Sequence, residues 1–249
     1  GNADRLLEWM YTARDLPHYL EQGCVRKKIE SLPELSIQNI ASEEYGYAML
    51  LCSFFGPAYV FGERPIKPFV PRNVAVPWCM LSEIFGRPHL SAYASYCMNN
   101  WRRLDPTGPI ALGNLALVQT FLGGFDESGF ILVHTEIERK AGMLLCPMIL
   151  EALLGAYKQD EARVENVLAD SALVFASILS TLSSMPKWCN PYIYYTRVRP
   201  YLHWSKDNPM FPEGIVYEDC FVNKPQKLRG ETGAQSSIIP VLDALLGVV

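Results

Sequence analysis

The stretch EARVENVLADSALVFASILSTLSSM, residues 161–185, limits the possible folds more than any other part of this chain. Val164, Val167, Leu168, Phe175, Ile178, Leu179 and Leu182 recur at steps of three and four, which predicts one long helix carrying a single apolar stripe. Pro186 ends it. The preceding run GMLLCPMILEALLGAY contains Pro147 and Glu151, and it reads as a buried helix and falls short of a membrane span. From Phe130 onward the pattern is almost wholly helical. The chain is therefore expected to be mainly α, with a large helical domain over 121–249. A smaller, irregular N-terminal domain over 1–120 is α with minor β.

That first part is broken by proline. RLLEWMYTARDL has helical spacing, but FGERPIKPFVPRNVAVP reads as a long ordered loop, with Pro77 opening a helix through WCMLSEIFG. LSAYASYCMNNWRRL reads as a helix stopping before Asp105-Pro106, LDPTGP as a turn, ALGNLALVQTFL as a further helix and GGFDESG as a loop. NPYIYYTRVRPYLHW is a helix interrupted at Pro200, because the residue before a proline is pushed from helical angles.

Composition narrows the function classes. A net charge of −4 with no basic stripe excludes a nucleic-acid partner as an expectation. Seven cysteines without a C-x-x-C pair point to free thiols in a reducing, cytoplasmic setting. The opening GNADRLLEWM is charged where a secretory signal would be apolar, so neither a leader nor a membrane partner is expected. Phosphate-loop, dinucleotide, zincin and nucleophile-elbow motifs are absent.

Three clusters carry candidate chemistry. In YIYYTRVRP, Tyr194 and Tyr195 lie within about one turn of Arg199. An arginine grips a carboxylate in bidentate fashion and aromatics wall an apolar pocket, although a surface arginine beside core tyrosines gives the same pattern. In SGFILVHTE, Phe130 and His134 share a helix face. A ring nitrogen there could bond a ligand N–H, or simply a backbone carbonyl. His134 and Glu138 form a weak candidate metal pair. In KLRGETGAQSSIIPVLDALLG, Gly230 and Gly233 permit close approach, while Thr232, Ser236 and Ser237 could cap the following helix or help bind an anion.

Together these segments resemble the indoleamine 2,3-dioxygenase family of haem enzymes. NVAVPWCMLSEIFGRPHLSAYASYCMNNWRRLDP, SGFILVHTEIE, VRPYLHWSKDNPMFPEGIVYE and RGETGAQSSIIPVLDALLG are similar, in order, to that family's distal-pocket segments. The resemblance implies haem b as cofactor and O2 and L-tryptophan, or a related indole, as substrates. Both oxygen atoms would be inserted across the indole C2–C3 bond to give N-formylkynurenine. It implies that Tyr93, Tyr96, Phe130, Ile131, Tyr194 and Tyr195 wall the pocket, with Ile131, Gly230 and Gly233 against the cofactor. Arg199 would hold the substrate carboxylate and Thr232 would face its ammonium. His134 stands where several members carry a small polar residue, and it would meet the indole N–H. The family's axial histidine has no counterpart in this sequence; His18, His89 and His203 match no ligand position, so the metal ligand is open. On this reading the gene continues past Val249, and the chain as given should bind haem weakly or not at all. A modified indole, favoured by the bulk of Tyr96, and a non-catalytic binder of haem or a small aromatic ligand are the alternatives.

Overall fold

The computed structural model describes residues 2–230 and 233–248. Its centre is α4 (Tyr45–Phe61), YGYAMLLCSFFGPAYVF, in which every residue from Ala48 to Phe61 is buried. A helix that is apolar on all sides has to be enclosed on all sides. The enclosing helices are α1 (Asn2–Arg14), α3 (Val25–Glu30) and α5 (Arg72–Phe85), with α2 (Leu16–Glu21) packed against α1 and α3. Gly56 admits α5 to close contact, since a Cβ there would lie 2.0 Å from the Trp78 ring. One continuous core contains Trp9, Phe54, Phe55, Trp78, Tyr96, Phe121, Trp204 and Tyr217, and so draws on residues either side of position 120.

Three expectations need correction in this half. Helix α5 begins at Arg72, so Pro77 lies inside it instead of opening it. The hydrogen bond lost at the proline is outweighed by burial of Val74, Trp78 and Leu81 on the same helix. The expected helix over 90–104 is a π-helical turn, 94–98, followed by strand β2 (Trp101–Arg103). The helix expected over 111–122 is instead strand β3 (Leu115–Leu117), which pairs antiparallel with β2, Arg102 opposite Ala116. Gly113 at φ +92° and Asn114, whose amide bridges Asp105 and Pro109, turn the chain back and fix this hairpin. A second, parallel pair joins β1 (Phe69–Val70) to β4 (Val216–Tyr217).

Residues 125–201 are largely helical, and the first long helix takes in Phe125–Gly129 of the stretch expected as a loop, whereas residues 202–230, expected to be helical, are mostly irregular and carry β4. Helix α6 (Phe125–Tyr157) turns at Gln159, φ +56°, into α7 (Glu161–Ser183), and the two run antiparallel. Gly155 lets them approach, a Cβ there meeting Val164 at 2.9 Å. Short helices α8 (Met185–Trp188) and α9 (Pro191–Ile193) lead to a π-helical turn over 194–198 and a 3₁₀ turn over 199–201, the break occurring at Pro200. Helix α10 (Ile238–Leu246) rests on α6.

The stretch over 142–157 is not the buried helix that its composition implies. Met143, Leu150, Leu153 and Tyr157 are exposed, as are Leu168, Leu173, Leu179 and Leu182 of the α7 stripe. Among the described residues, α6 and α7 are also the helices long and apolar enough to cross a membrane. Ala141 and Val174 form a small cluster of their own between them, with Ile238 of α10 against it.

Candidate functional site

The start of α6 is fixed by a buried carboxylate and a missing side chain. Glu127 accepts the backbone N–H groups of Phe121 and Leu122, each at 2.8 Å, and burial raises its pKa from 4.5 to about 7. At Gly129 a Cβ would fall 1.8 Å from the carbonyl oxygen of Trp188, so only glycine lets α6 sit against α8. These two contacts set the rotation of α6 and the direction in which its next turn points.

That turn carries Phe130 and His134. The Phe130 ring stacks on Tyr194, with centroids 3.9 Å apart and planes 23° apart. The His134 ring lies 4.4 Å from Phe130 and 6.1 Å from Tyr93. His134 Nδ1 is 2.8 Å from the Phe130 carbonyl oxygen, which can only accept, so Nδ1 carries the proton and Nε2 keeps its lone pair. Burial lowers the pKa of the ring, which is neutral at pH 7. Glu138, a turn further on, accepts the Tyr93 hydroxyl at 2.9 Å, and its charge opposes the larger effect of burial on the His134 ring.

Tyr96 is fully buried against Phe54 and Phe121, and Ile131 is fully buried in the core. Arg199 lies on the other side of the π-helical turn. It is half-buried and lines two cavities, each shared with His203. The first, about 410 Å³, also has Tyr195, Arg197 and Tyr201 in its wall; the second, about 270 Å³, has Trp204, Arg229 and Gly230. Tyr194 is buried in the stack, whereas its neighbour Tyr195 is 69 % exposed. Adjacent residues of one turn thus serve two different surfaces.

The glycine loop runs between these surfaces. At Gly230 a Cβ would come within 2.0 Å of the Leu202 carbonyl oxygen, so the chain's own backbone excludes a side chain there. At Gly233 nothing lies within 4 Å of that position. Two residues on, the Gln235 side-chain carbonyl accepts the Tyr93 N–H at 2.8 Å. Thr232 lies outside the described residues. The structure therefore gathers Phe130, His134, Tyr93 and Tyr194 as one set, and Arg199, Tyr195 and Gly230 as another, with the loop touching both. Sequence reading passed over Glu127, Gln235 and the part played by Glu138. Of these, only Glu138 left a signal, its four-residue spacing from His134.

Apolar rings on one side and open space at Gly233 suit one face of a flat aromatic macrocycle. Among the described residues no group of three His, Cys, Asp or Glu could hold a metal ion.

Comparison with known proteins decides the family. The profile of the indoleamine 2,3-dioxygenase family matches residues 3–249. The chain belongs to the indoleamine 2,3-dioxygenase family. Similar members include indoleamine 2,3-dioxygenase 1 of Rattus norvegicus, 33 % identical over 98 % of this chain and 60 % of that protein. Indoleamine 2,3-dioxygenase 2 of Homo sapiens is 30 % identical with the same coverage. A 6-hydroxytryptophan 2,3-dioxygenase of Fusarium equiseti is 26 % identical over 96 % of this chain and 60 % of that protein. The chain thus spans about three fifths of the length of these relatives.

Proposed function

We propose that this chain supplies the substrate-facing half of a haem-dependent dioxygenase site. That site inserts O2 across the indole C2–C3 bond, converting tryptophan to N-formylkynurenine in a reducing, cytoplasmic compartment. The observation that carries the reading is the Phe130–Tyr194 stack with a neutral, acceptor-bearing His134 beside it. Haem, when bound, supplies the iron chemistry toward O2. The protein's part is to bind, orient and exclude water. Phe130, Tyr194 and Tyr93 form a wall against which an indole packs, and buried Tyr96 and Ile131 belong to the same core. His134 Nε2 accepts the indole N–H. Arg199 holds the substrate carboxylate through two parallel N–H bonds, which requires the 194–201 segment to bring it round from the separate surface that it shares with Tyr195. Gly233 leaves room for the flat cofactor and Gly230 seats the loop. This division of labour is orientation and electrostatics, without a required general base.

The test uses the complete gene product. Added hemin should give a Soret band, and ascorbate, methylene blue and tryptophan should then give the N-formylkynurenine absorbance. His134→Ala should keep the haem spectrum and lower kcat/KM about tenfold, as expected for one lost hydrogen bond in a dry site. Unchanged turnover and binding in that variant would remove His134 from the site. A Soret band without product would favour the binding reading, and no Soret change would remove both. A Fusarium relative named for 6-hydroxytryptophan favours a modified indole as the competing substrate. Comparing kcat/KM for tryptophan and 6-hydroxytryptophan separates the two.

A further inference from the structure

One cavity carries a charge pattern that the proposed reaction uses only in part. Its volume is about 410 Å³, and its wall brings Arg64, just past α4, together with Arg197, Arg199 and His203. Both flanks are fixed by buried groups. Arg26 is 8 % exposed and donates to the carbonyl oxygens of Glu63 and Pro65, at 3.0 and 2.7 Å, which holds the chain on either side of Arg64. Across the cavity, buried Tyr194 and Val198 anchor the π-helical turn, while Arg197 between them is exposed. The Tyr201 ring, also in the wall, stacks on Phe121 with centroids 4.7 Å apart. Nearby acids leave the cluster uncompensated. Among the described residues no Asp or Glu lines this cavity, and none forms an ion pair with Arg64, Arg197 or Arg199. The Glu63 carboxylate, next to Arg64 in sequence, accepts the Arg26 backbone N–H at 2.8 Å. In the adjoining cavity, which shares Arg199 and His203, Asp207 pairs with Arg229 at 3.0 Å. Glu21 shares a third cavity with Arg197 without pairing with it. Like charges gathered in a concavity repel one another and focus a field that draws anions. Each guanidinium can take carboxylate or phosphate oxygens two at a time, and Phe61, Ile66 and Met210 supply apolar wall for carbon atoms.

We propose that this cavity is a second ligand site, which takes a small organic anion of two or more negative charges, a polycarboxylate or a phosphate ester. Arg64 and Arg197 hold the anion and Arg199 closes on it. Occupancy engages Arg199 on this surface and withholds it from the substrate carboxylate. The anion thus competes with tryptophan without touching the indole wall. This competition rests on the dioxygenase reading; the binding site itself does not.

The experiment uses the complete gene product. Calorimetric titration with citrate and, separately, with phenyl phosphate is compared with sodium chloride at equal ionic strength. At least one of the two anions should bind at one site per chain, and which one binds tells carboxylate from phosphate. Both variant positions are exposed, and Arg64→Gln/Arg197→Gln should weaken that binding by about tenfold or more. The same variant should leave kcat/KM for tryptophan unchanged in the absence of the anion. In the wild type the bound anion should slow phenylglyoxal modification of Arg64 and Arg197, read by mass spectrometry, which locates the site even if the variant folds poorly. Saturating anion should raise KM for tryptophan about threefold or more with kcat unchanged, and the variant should lose that rise. No binding of either anion, or binding that neither protects the two arginines nor weakens in the variant, overturns the site. Binding there with an unmoved KM overturns the competition. Absence of product even without anion overturns the dioxygenase reading and the competition with it, and calorimetry and footprinting then decide the site alone.

Discussion

Helices α4 and α7 are built from similar apolar residues and meet opposite fates. Helix α4 has no exposed residue from Ala48 to Phe61, and its aromatic rings interlock with α1, the π-helical turn and residue 121. Helix α7 buries only Val174 and Thr181 and leaves Leu173 70 % exposed. Hydrophobic content therefore fixes that a helix needs cover, and the number of neighbouring elements decides whether it has any. The α6–α7 hairpin is held by its seam, by one ion pair and by loop contacts, whereas α4 is held on every side.

The largest test of that contrast is a pair of truncations. Phe54→Ala should cost about 4 kcal/mol in chemical denaturation, because it opens a cavity where Tyr96 and Phe121 meet. Leu173→Ala should cost less than about 0.5 kcal/mol. Equal losses would mean that α7 is covered in solution. Next is Lys140, whose ammonium lies 3.1 Å from Glu136 and 2.6 Å from Thr181 Oγ1, within the hairpin seam. Lys140→Met strands a mostly buried carboxylate and should cost about 3 kcal/mol, part of it recovered in Glu136→Gln/Lys140→Met. A smaller effect lies in pH. The pKa of Glu127 is raised in the folded state, so its contribution is fully present below 4.5 and is lost as pH rises through about 7. Wild-type stability should drop by about 3 kcal/mol over that window, and Glu127→Gln should flatten the slope. Smallest for stability is Leu173→Lys/Leu179→Lys, within about 0.5 kcal/mol, while binding of a hydrophobic dye falls clearly.

Periodicity in the sequence located α7, the break at Pro200 and the helical character from residue 130 to about 200, since each depends on local spacing alone; the irregular stretch 202–230 departs from that expectation. The β2–β3 hairpin was hidden because LALV and NWRR satisfy helical spacing as well as pairing, and only Gly113 and the Asn114 bridges turn the chain back. Pro77 misled because tertiary burial of Trp78 outweighs one missing N–H. At the site, four-residue spacing correctly put Phe130 and His134 on one face. The same helical spacing places adjacent Tyr194 and Tyr195 on different faces, one buried and one exposed, so grouping both as walls of one pocket ran against it. Glycine content flagged the loop, but not that Gly230 is demanded by Leu202 of the chain itself.

The amide of Gln235 has a wider reach than its two hydrogen bonds, to the Tyr93 N–H and the Gly230 carbonyl, imply. It fastens a late loop to the backbone at Tyr93, 142 positions earlier, directly before the π-helical turn. Displacing that turn pulls on the loop, and whatever orders the loop braces the turn. A ligand seated against either segment is thus felt by the other, through a tether that cutting one side-chain carbonyl would release.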